Sequence, residues 1–286
     1  MFDEKSSRWR FLNSRFGNAF FNMAVDEAVV RSVERGASPP TIRVFGWTPP
    51  AVSFGYAQRV EREVSFDRCR DMGVGWVRRS TGGRAVLHWN ELTYSVLCSA
   101  DDPHLGGKIL EAYEKISVCL VAGVRRLGVE ARFEPHRQSL PVPRAERLTN
   151  PCFSSTSQFE VVVEGKKLVG SAQRRMGSVL LQHGSLLIGP EHKQIVDLMP
   201  DGEEEIKAQF REELDVHTTS LEDVLGRTVS FEEVAEALRA GFDEARGVVL
   251  EEAHLSPEEA EEAERLATEK YGTEEWNLKE RASAQG

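Results

Sequence analysis

The spacing of apolar residues along the chain divides it into helices and strands. The clearest helix is predicted over residues 107–127, where six apolar side chains recur with the 3.6-residue period that places them on one face. A second helix is predicted from a cap at Asn22 to Arg35, because asparagine favours a helix start and Gly36 favours a helix end. Shorter helical patterns fall at residues 65–72, 203–214, 220–225, 230–245 and 256–271.

Alternation of apolar and polar residues predicts the strands. Leu92, Tyr94, Val96 and Cys98 would share one face of a strand, which is expected to pair with a strand over residues 84–88 just before it. The other strands are expected at residues 41–47, 51–56, 74–79, 129–134, 159–163, 167–174 and 179–188, and the hairpin turn at Glu164-Gly165.

The order of these elements indicates the fold class. Because strands come first and short acidic helices come last, the pattern predicts an α/β fold of the α+β type, with a mixed central β-sheet flanked by helices. We expect a main domain over residues 1–250 and a helical C-terminal appendage over residues 251–286.

Charge narrows the range of partners. The 286 residues include 36 Lys and Arg against 46 Asp and Glu, a net charge of −10, which argues against a general nucleic-acid binder. Acidic residues crowd after position 200, whereas residues 123–184 are rich in Arg and Lys. The net charge therefore does not exclude a local basic face on which an acidic partner could dock.

The four cysteines, Cys69, Cys98, Cys119 and Cys152, lie far apart with no Cys-x-x-Cys pair. This spacing argues against structural zinc and against a disulfide framework, so no metal site is expected. Neither a signal peptide nor an apolar run of membrane-spanning length is visible, and we expect a cytoplasmic protein with no membrane contact.

The strongest sign of chemistry is Cys152, in Asn150-Pro151-Cys152-Phe153, just ahead of the hairpin that carries Lys166 and Lys167. A cationic neighbour favours the thiolate, which is the nucleophile that carries an acyl group as a thioester. The alternative, a buried cysteine beside a surface lysine, remains open from these residues alone. Cys69, Cys98 and Cys119 are expected to lie in the core.

A glycine loop at Ser80-Thr81-Gly82-Gly83 lies between Arg79 and Arg84. Paired glycines let backbone N–H groups approach a carbonyl or phosphate oxygen, although a Gly-Gly pair is also common in simple turns. No phosphate-binding Gly-x-x-x-x-Gly-Lys-Ser/Thr motif occurs. His88 and His183 are candidates for a general base or for structural donors, and no acidic partner for either is evident in the sequence.

Three segments in order, residues 78–88, 165–172 and 182–185, resemble the lipoate protein ligase, octanoyltransferase and biotin ligase superfamily. The cysteine shortly before the Gly-Lys-Lys hairpin is similar to that of the LipM-type octanoyltransferases. The resemblance covers roughly residues 8–280 and implies a biotin/lipoate protein ligase-like catalytic domain with short C-terminal helices.

The resemblance implies transfer of octanoyl from acyl carrier protein, through a Cys152 thioester, to a lysine of a lipoyl-accepting protein such as the glycine cleavage H protein. No ATP or other cofactor is expected, and Cys152 and Lys167 are the implied catalytic residues. The implied substrate-binding residues are Arg79, Ser80, Thr81, Gly82, Gly83, Arg84, His88, Gly170, Ser171, Ala172, His183 and Gly184.

Three other functions remain open. A lipoate protein ligase would share the loop and the lysine but would activate a free acid with ATP. An amidotransferase would take octanoyl from the H protein rather than from acyl carrier protein. A non-catalytic lipoyl-domain binding protein would keep the fold without the chemistry, although the retention of Cys152, Lys167 and the glycine loop argues against it.

Overall fold

The computed structural model describes residues 8–135, 159–200 and 204–279. Its strands are β1 (Arg8–Gly17), β2 (Thr41–Trp47), β3 (Ala51–Phe54), β4 (Gly75–Arg78), β5 (Val86–His88), β6 (Glu91–Ser99), β7 (Arg132–Pro135), β8 (Phe159–Val163), β9 (Lys166–Met176), β10 (Val179–Leu187) and β11 (Val249–Glu252). Its α-helices are α1 (Ala19–Glu34), α2 (Phe66–Asp71), α3 (Ile109–Arg126), α4 (Glu204–His217), α5 (Leu221–Leu225), α6 (Phe231–Arg246), α7 (Pro257–Leu266) and α8 (Glu274–Leu278).

Two sheets organise these strands, and the predicted mixed α/β fold is confirmed. The larger sheet has eight strands in the order β11-β1-β2-β6-β10-β9-β8-β7, and the smaller has three in the order β4-β3-β5. In the larger sheet β1 runs parallel to both β11 and β2, whereas the pairs from β2 to β7 are antiparallel.

The expected pairing of residues 84–88 with the strand over residues 92–98 is wrong. Strand β5 instead pairs with β3 in the small sheet, with His88 opposite Ala51, while β6 lies between β2 and β10 in the large sheet. The two segments are neighbours in sequence, but Trp89 and Asn90 carry the chain from one sheet to the other.

Helix α1 begins earlier than predicted, and its cap is Asn18 rather than Asn22. The Asn18 side chain accepts a hydrogen bond from the Phe21 backbone N–H at 2.9 Å. Asn22 is buried instead, and its amide donates to the Gly17 and Gly46 carbonyl oxygens, each at 3.0 Å. It therefore fastens α1 to the ends of β1 and β2.

Apolar cores lie on both faces of the large sheet. One core joins α1 and α7 to the sheet, and the other includes α3 and α6. Helices α3 and α6 approach closely at two glycines, since a Cβ added at Gly241 would lie only 2.3 Å from the Gly123 backbone nitrogen. Larger residues at these positions would push the helices apart.

The end of the chain adds to the main sheet as well as to its helices. Strand β11 pairs with β1, and α7 is fixed by Arg10, whose guanidinium contacts the Glu259 carboxylate through two bonds of 2.7 Å. The boundary predicted at residue 250 falls within β11, and the division into a main domain and an appendage stays a prediction.

Candidate active site

A cavity of about 140 Å³ lies over β9 and β10, beneath the glycine loop. Its lining includes residues from all three segments that carry the family resemblance, residues 78–88, 165–172 and 182–185. The predicted residues that line it are Arg79, Gly83, Arg84, His88, Lys167, Gly170, Ser171, Ala172, His183 and Gly184. Ser80, Thr81 and Gly82 belong to the loop but do not line the cavity. Cys152 lies outside the described residues.

The two lysines of the hairpin have different surroundings. Lys167 is 4% exposed, lines the cavity, and places its Nζ 2.6 Å from Glu160 Oε1. Lys166 is exposed and donates to the Asp215 carbonyl oxygen at 3.0 Å. The Lys167 ammonium carries three N–H donors, and Glu160 accepts one of them.

The glycine loop is held from inside by Arg79. Its guanidinium donates to the carbonyl oxygens of Gly82 at 2.7 Å, Arg84 at 2.8 Å and Ser53 at 2.9 Å. Gly83 has a φ of +94°, which favours glycine. Arg79 therefore shapes the loop as well as lining the cavity.

The base of the loop is fixed by Arg78, which is fully buried. Its Nη1 donates to the carbonyl oxygens of Gly55, Tyr56 and Gln58 at 2.8 to 3.2 Å. Its backbone N–H donates to Asn277 Oδ1 at 2.7 Å, and its carbonyl oxygen accepts from Trp276 Nε1 at 2.7 Å. The C-terminal helix α8 thus contacts the strand that enters the loop.

His183 has an acidic partner that the sequence did not reveal. Its Nδ1 lies 3.4 Å from Asp26 Oδ2, on α1, and its Nε2 lies 2.6 Å from Thr81 Oγ1. Asp26 also accepts from Arg43 at 2.7 Å and from Ser95 at 2.8 Å. Burial alone would raise the pKa of Asp26, but Arg43 and the His183 bond outweigh burial and hold that pKa below its ordinary value.

These contacts define the state of the His183 ring. Burial lowers the pKa of His183, opposed by Asp26, so the ring is neutral near pH 7. Because the ionised Asp26 can only accept, Nδ1 carries the proton, and Nε2 accepts from the Thr81 hydroxyl. Both ring nitrogens are engaged by the protein, and His183 is arranged to hold the glycine loop.

His88, which also lines the cavity, is likewise held by contacts within the protein. Its Nε2 lies 2.8 Å from Ser53 Oγ, and its Nδ1 lies 3.5 Å from Glu91 Oε1. The ring stacks on Trp47 with centroids 4.1 Å apart, and Trp47 donates to Thr93 Oγ1 at 2.8 Å. The arrangement makes His88 and Trp47 a fixed wall of the cavity.

Several lining residues were missed by sequence reasoning. These are Met23, Trp47, Ser53, Thr93 and Ser185. They come from five separate elements, so no single motif contains them. Asp26 had one signal: Asp26 and Glu27 are the two ionisable residues within residues 23–30 of α1, which are otherwise apolar, and burial of such a residue demands a charged partner.

The three cysteines predicted to lie in the core are buried, which confirms that prediction. Burial raises the pKa of Cys69 to about 11 and that of Cys119 to about 12, so neither is a thiolate near pH 7. In the described residues, no cluster of three or more His, Cys, Asp or Glu side chains is arranged to hold a metal. No helix of the described segments is both long and apolar enough to cross a membrane.

Comparison with known proteins gives a consistent assignment. Residues 18–243 match the sequence family described as Lipoyl protein ligase A/B catalytic domain. The octanoyltransferase LipM of Kyrpidia tusciae is 46% identical over 275 residues, which cover 95% of this chain and 98% of the relative. The octanoyltransferase LipM of Bacillus subtilis is 37% identical over 276 residues, with the same shares of the two chains.

Solved structures agree on the fold. A chain from the lipoylation system of Thermoplasma acidophilum, a bipartite lipoate protein ligase with its E2 lipoyl domain, superposes with a TM-score of 0.78 at 27% identity, covering 97% of this chain and 99% of its own. A lipoate-protein ligase A bound with ATP gives a TM-score of 0.74 at 27% identity, covering 96% and 98% of the two chains.

Proposed function

The chain belongs to the lipoyl protein ligase A/B catalytic domain family, and we propose that it is an octanoyltransferase of lipoate biosynthesis. It moves an octanoyl group from a donor to a lipoyl-accepting protein, which makes it an acyltransferase. The observation that carries the proposal is that the three motif segments meet at one cavity, with the buried Lys167 ammonium at its lining.

In the first step the nucleophile is Cys152. Its thiolate attacks the carbonyl carbon of the donor thioester, a C–S bond forms to Cys152, and the bond to the donor sulfur breaks. The donor sulfur leaves as a thiolate and takes up a proton from solvent, so one thioester replaces another at little cost in free energy. The position of Cys152 in sequence, shortly before the hairpin of Lys167, supports this assignment.

The second step delivers the acyl group. A neutral lysine amine of the acceptor attacks the Cys152 thioester, an amide bond forms, and the C–S bond breaks. The cysteine leaves as the thiolate, and the amine loses one proton to solvent. The conversion of a thioester to an amide runs downhill, and the transfer therefore needs no ATP.

Both steps pass through a tetrahedral oxyanion. The Lys167 ammonium and the backbone amides of residues 81–83 are suited to hold it, because a preorganised donor in a buried site stabilises developing charge strongly. Arg79 keeps those amides in place through the loop carbonyl oxygens. Cys152 and Lys167 are thus the proposed catalytic residues.

For the partners, we assign octanoyl-acyl carrier protein as the donor and the glycine cleavage H protein or another lipoyl domain as the acceptor. Arg84 at the cavity is a basic group that an acidic carrier would meet. A reducing cytoplasm suits a reaction that requires a thiol, and the isolated cysteines are consistent with it.

Intact-mass measurement tests the mechanism directly. Wild-type protein mixed with octanoyl-acyl carrier protein, without ATP, should gain the mass of one octanoyl group, and the adduct should pass to added H protein. Cys152→Ala should form no adduct and transfer nothing. The matched control is Cys69→Ala, which removes a buried thiol from the core and should keep the adduct.

The second candidate is an ATP-dependent lipoate protein ligase, which the likeness to solved lipoate protein ligases favours. A ligase holds its activated acid as an adenylate and does not need Cys152. Full activity of Cys152→Ala with octanoate, ATP and acceptor, together with no adduct on the wild type, would establish the ligase instead.

A further inference from the structure

Ser185, on β10, is a polar residue of the cavity that has no assigned role. Its side chain is 2% exposed, and it lines the cavity together with Lys167 and Gly170. Among the residues that the structure describes, its Oγ is a buried oxygen with no hydrogen-bond partner.

The other hydroxyl groups of the described residues that line this cavity are all engaged. Ser53 Oγ contacts His88 at 2.8 Å, and Ser171 Oγ contacts the Tyr94 hydroxyl at 2.7 Å. Thr93 Oγ1 donates to Glu91 at 2.7 Å. Ser185 differs from these neighbours because its hydroxyl has no such partner among the described residues. A buried hydroxyl left unpaired costs at least as much free energy as a typical hydrogen bond contributes.

The strand register gives the Ser185 hydroxyl no hydrogen-bond partner on either neighbouring described strand. Ser185 lies opposite Gly170 on β9 and opposite Thr93 on β6. Gly170 has no side chain with which to cover it, and the Thr93 hydroxyl is already directed to Glu91. A group that enters the cavity is therefore the available partner.

We propose that the Ser185 hydroxyl donates a hydrogen bond to the carbonyl oxygen of the bound acyl group. This inference rests on the proposed function, because a saturated acyl thioester has one strong acceptor, its carbonyl oxygen, and its sulfur accepts only weakly. Ser185 is thus a binding residue, and its contact fixes how far the acyl chain enters the cavity. The carbonyl oxygen then lies at Ser185, on the side of the cavity that Lys167 lines.

A stability measurement separates this role from a structural one. Ser185→Ala removes a hydroxyl that has no partner among the described residues, so its melting temperature should equal or exceed that of the wild type. Ser95→Ala is the matched control, because Ser95 is fully buried on the adjacent strand and donates to Asp26 at 2.8 Å. The control should melt a few degrees lower.

A binding measurement identifies the ligand atom. The first probe is a ketone analogue of octanoyl-pantetheine, in which a methylene replaces the thioester sulfur so that no acyl transfer can occur. The second probe lacks the carbonyl oxygen and is otherwise the same. By calorimetry, Ser185→Ala should weaken the ketone analogue roughly 2- to 10-fold, the range expected for one hydrogen bond, and should leave the second probe unchanged.

Three outcomes would overturn the inference. Equal effects of Ser185→Ala on the two probes would show that the hydroxyl does not contact the carbonyl oxygen. A large drop in melting temperature, as for Ser95→Ala, would show that Ser185 supports the fold. Binding of neither probe by the wild type would contradict the proposed function itself, and the inference with it.

Discussion

At the scale of single residues, two adjacent lysines of the hairpin differ in burial and in the groups that they contact. Lys166 lies at the surface beside Asp215, whereas Lys167 is buried at the cavity against Glu160. Their charges are the same, but only Lys167 is placed where it can meet a reacting carbonyl group. The family resemblance pointed to Lys167, and the structure gives the physical contrast between the two.

We predict that Lys167→Ala lowers the rate of octanoyl transfer by about 10²-fold, since removing one donor from an oxyanion site costs 10²- to 10³-fold. Lys166→Ala is the control and should change the rate less than about twofold. Steady-state transfer to H protein measures both. Equal losses, or no loss in either variant, would reject the assigned role, and circular dichroism would verify that both variants are folded.

Asp26 shows why part of the site escaped sequence reasoning. The glycine loop and the hairpin lysine are local patterns, and they are visible in a few consecutive residues. The pairing of Asp26 with His183 joins residues 157 positions apart, and Arg43 and Ser95 come from two further strands. The sheet register and the packing of α1 against the sheet bring these groups together, and no local spacing encodes either of them.

At the scale of elements, the C-terminal helix α8 contacts the strand that enters the glycine loop. Asn277 accepts from the Arg78 backbone N–H at 2.7 Å, and its amide donates to the Tyr271 carbonyl oxygen at 2.6 Å. Asn277 is only 4% exposed, so these bonds have no replacement from water. The helix therefore helps to hold the loop although it lies almost 200 residues later in sequence.

We predict that Asn277→Ala destabilises the protein by about 1–3 kcal/mol, because it leaves the buried Arg78 N–H unpaired. The loosened loop should also raise the KM for the acyl donor more than it changes kcat. Urea unfolding and donor titration measure the two effects.

Glu275→Ala is the control within α8. Its carboxylate faces solvent beside Lys279, and an exposed pair of this kind contributes less than about 1 kcal/mol. Unchanged stability and KM in Asn277→Ala would mean that the helix covers the strand without organising the loop.

The elements themselves were predictable to different degrees. The helix predicted over residues 107–127 nearly matches the observed α3, because the period of its apolar face is encoded in consecutive residues. The strand pairing of residues 84–88 was wrong because β5 finds its partner in another sheet. Strand β1 has no counterpart among the predicted elements, since Arg10 interrupts its apolar pattern and is buried through its contacts with Glu259 and Thr41.

At the scale of the whole molecule, the net charge of −10 opposes an acidic donor. If acyl carrier protein met only this overall field, added salt would screen the repulsion and strengthen binding. If it docks on basic groups near the cavity, salt would weaken binding instead. The sign of the salt dependence therefore distinguishes a local basic docking surface from the average field.

We predict that the apparent Kd for octanoyl-acyl carrier protein rises as ionic strength increases from about 0.01 to 0.15 M, over which the Debye length falls from about 30 to 8 Å. Arg84→Gln, at the cavity, should weaken binding and flatten this dependence. Arg126→Gln is the control: it removes the same charge from an exposed pair with Glu244 and should leave both unchanged. Binding that tightens with salt, or equal effects of the two variants, would contradict docking of the carrier at Arg84.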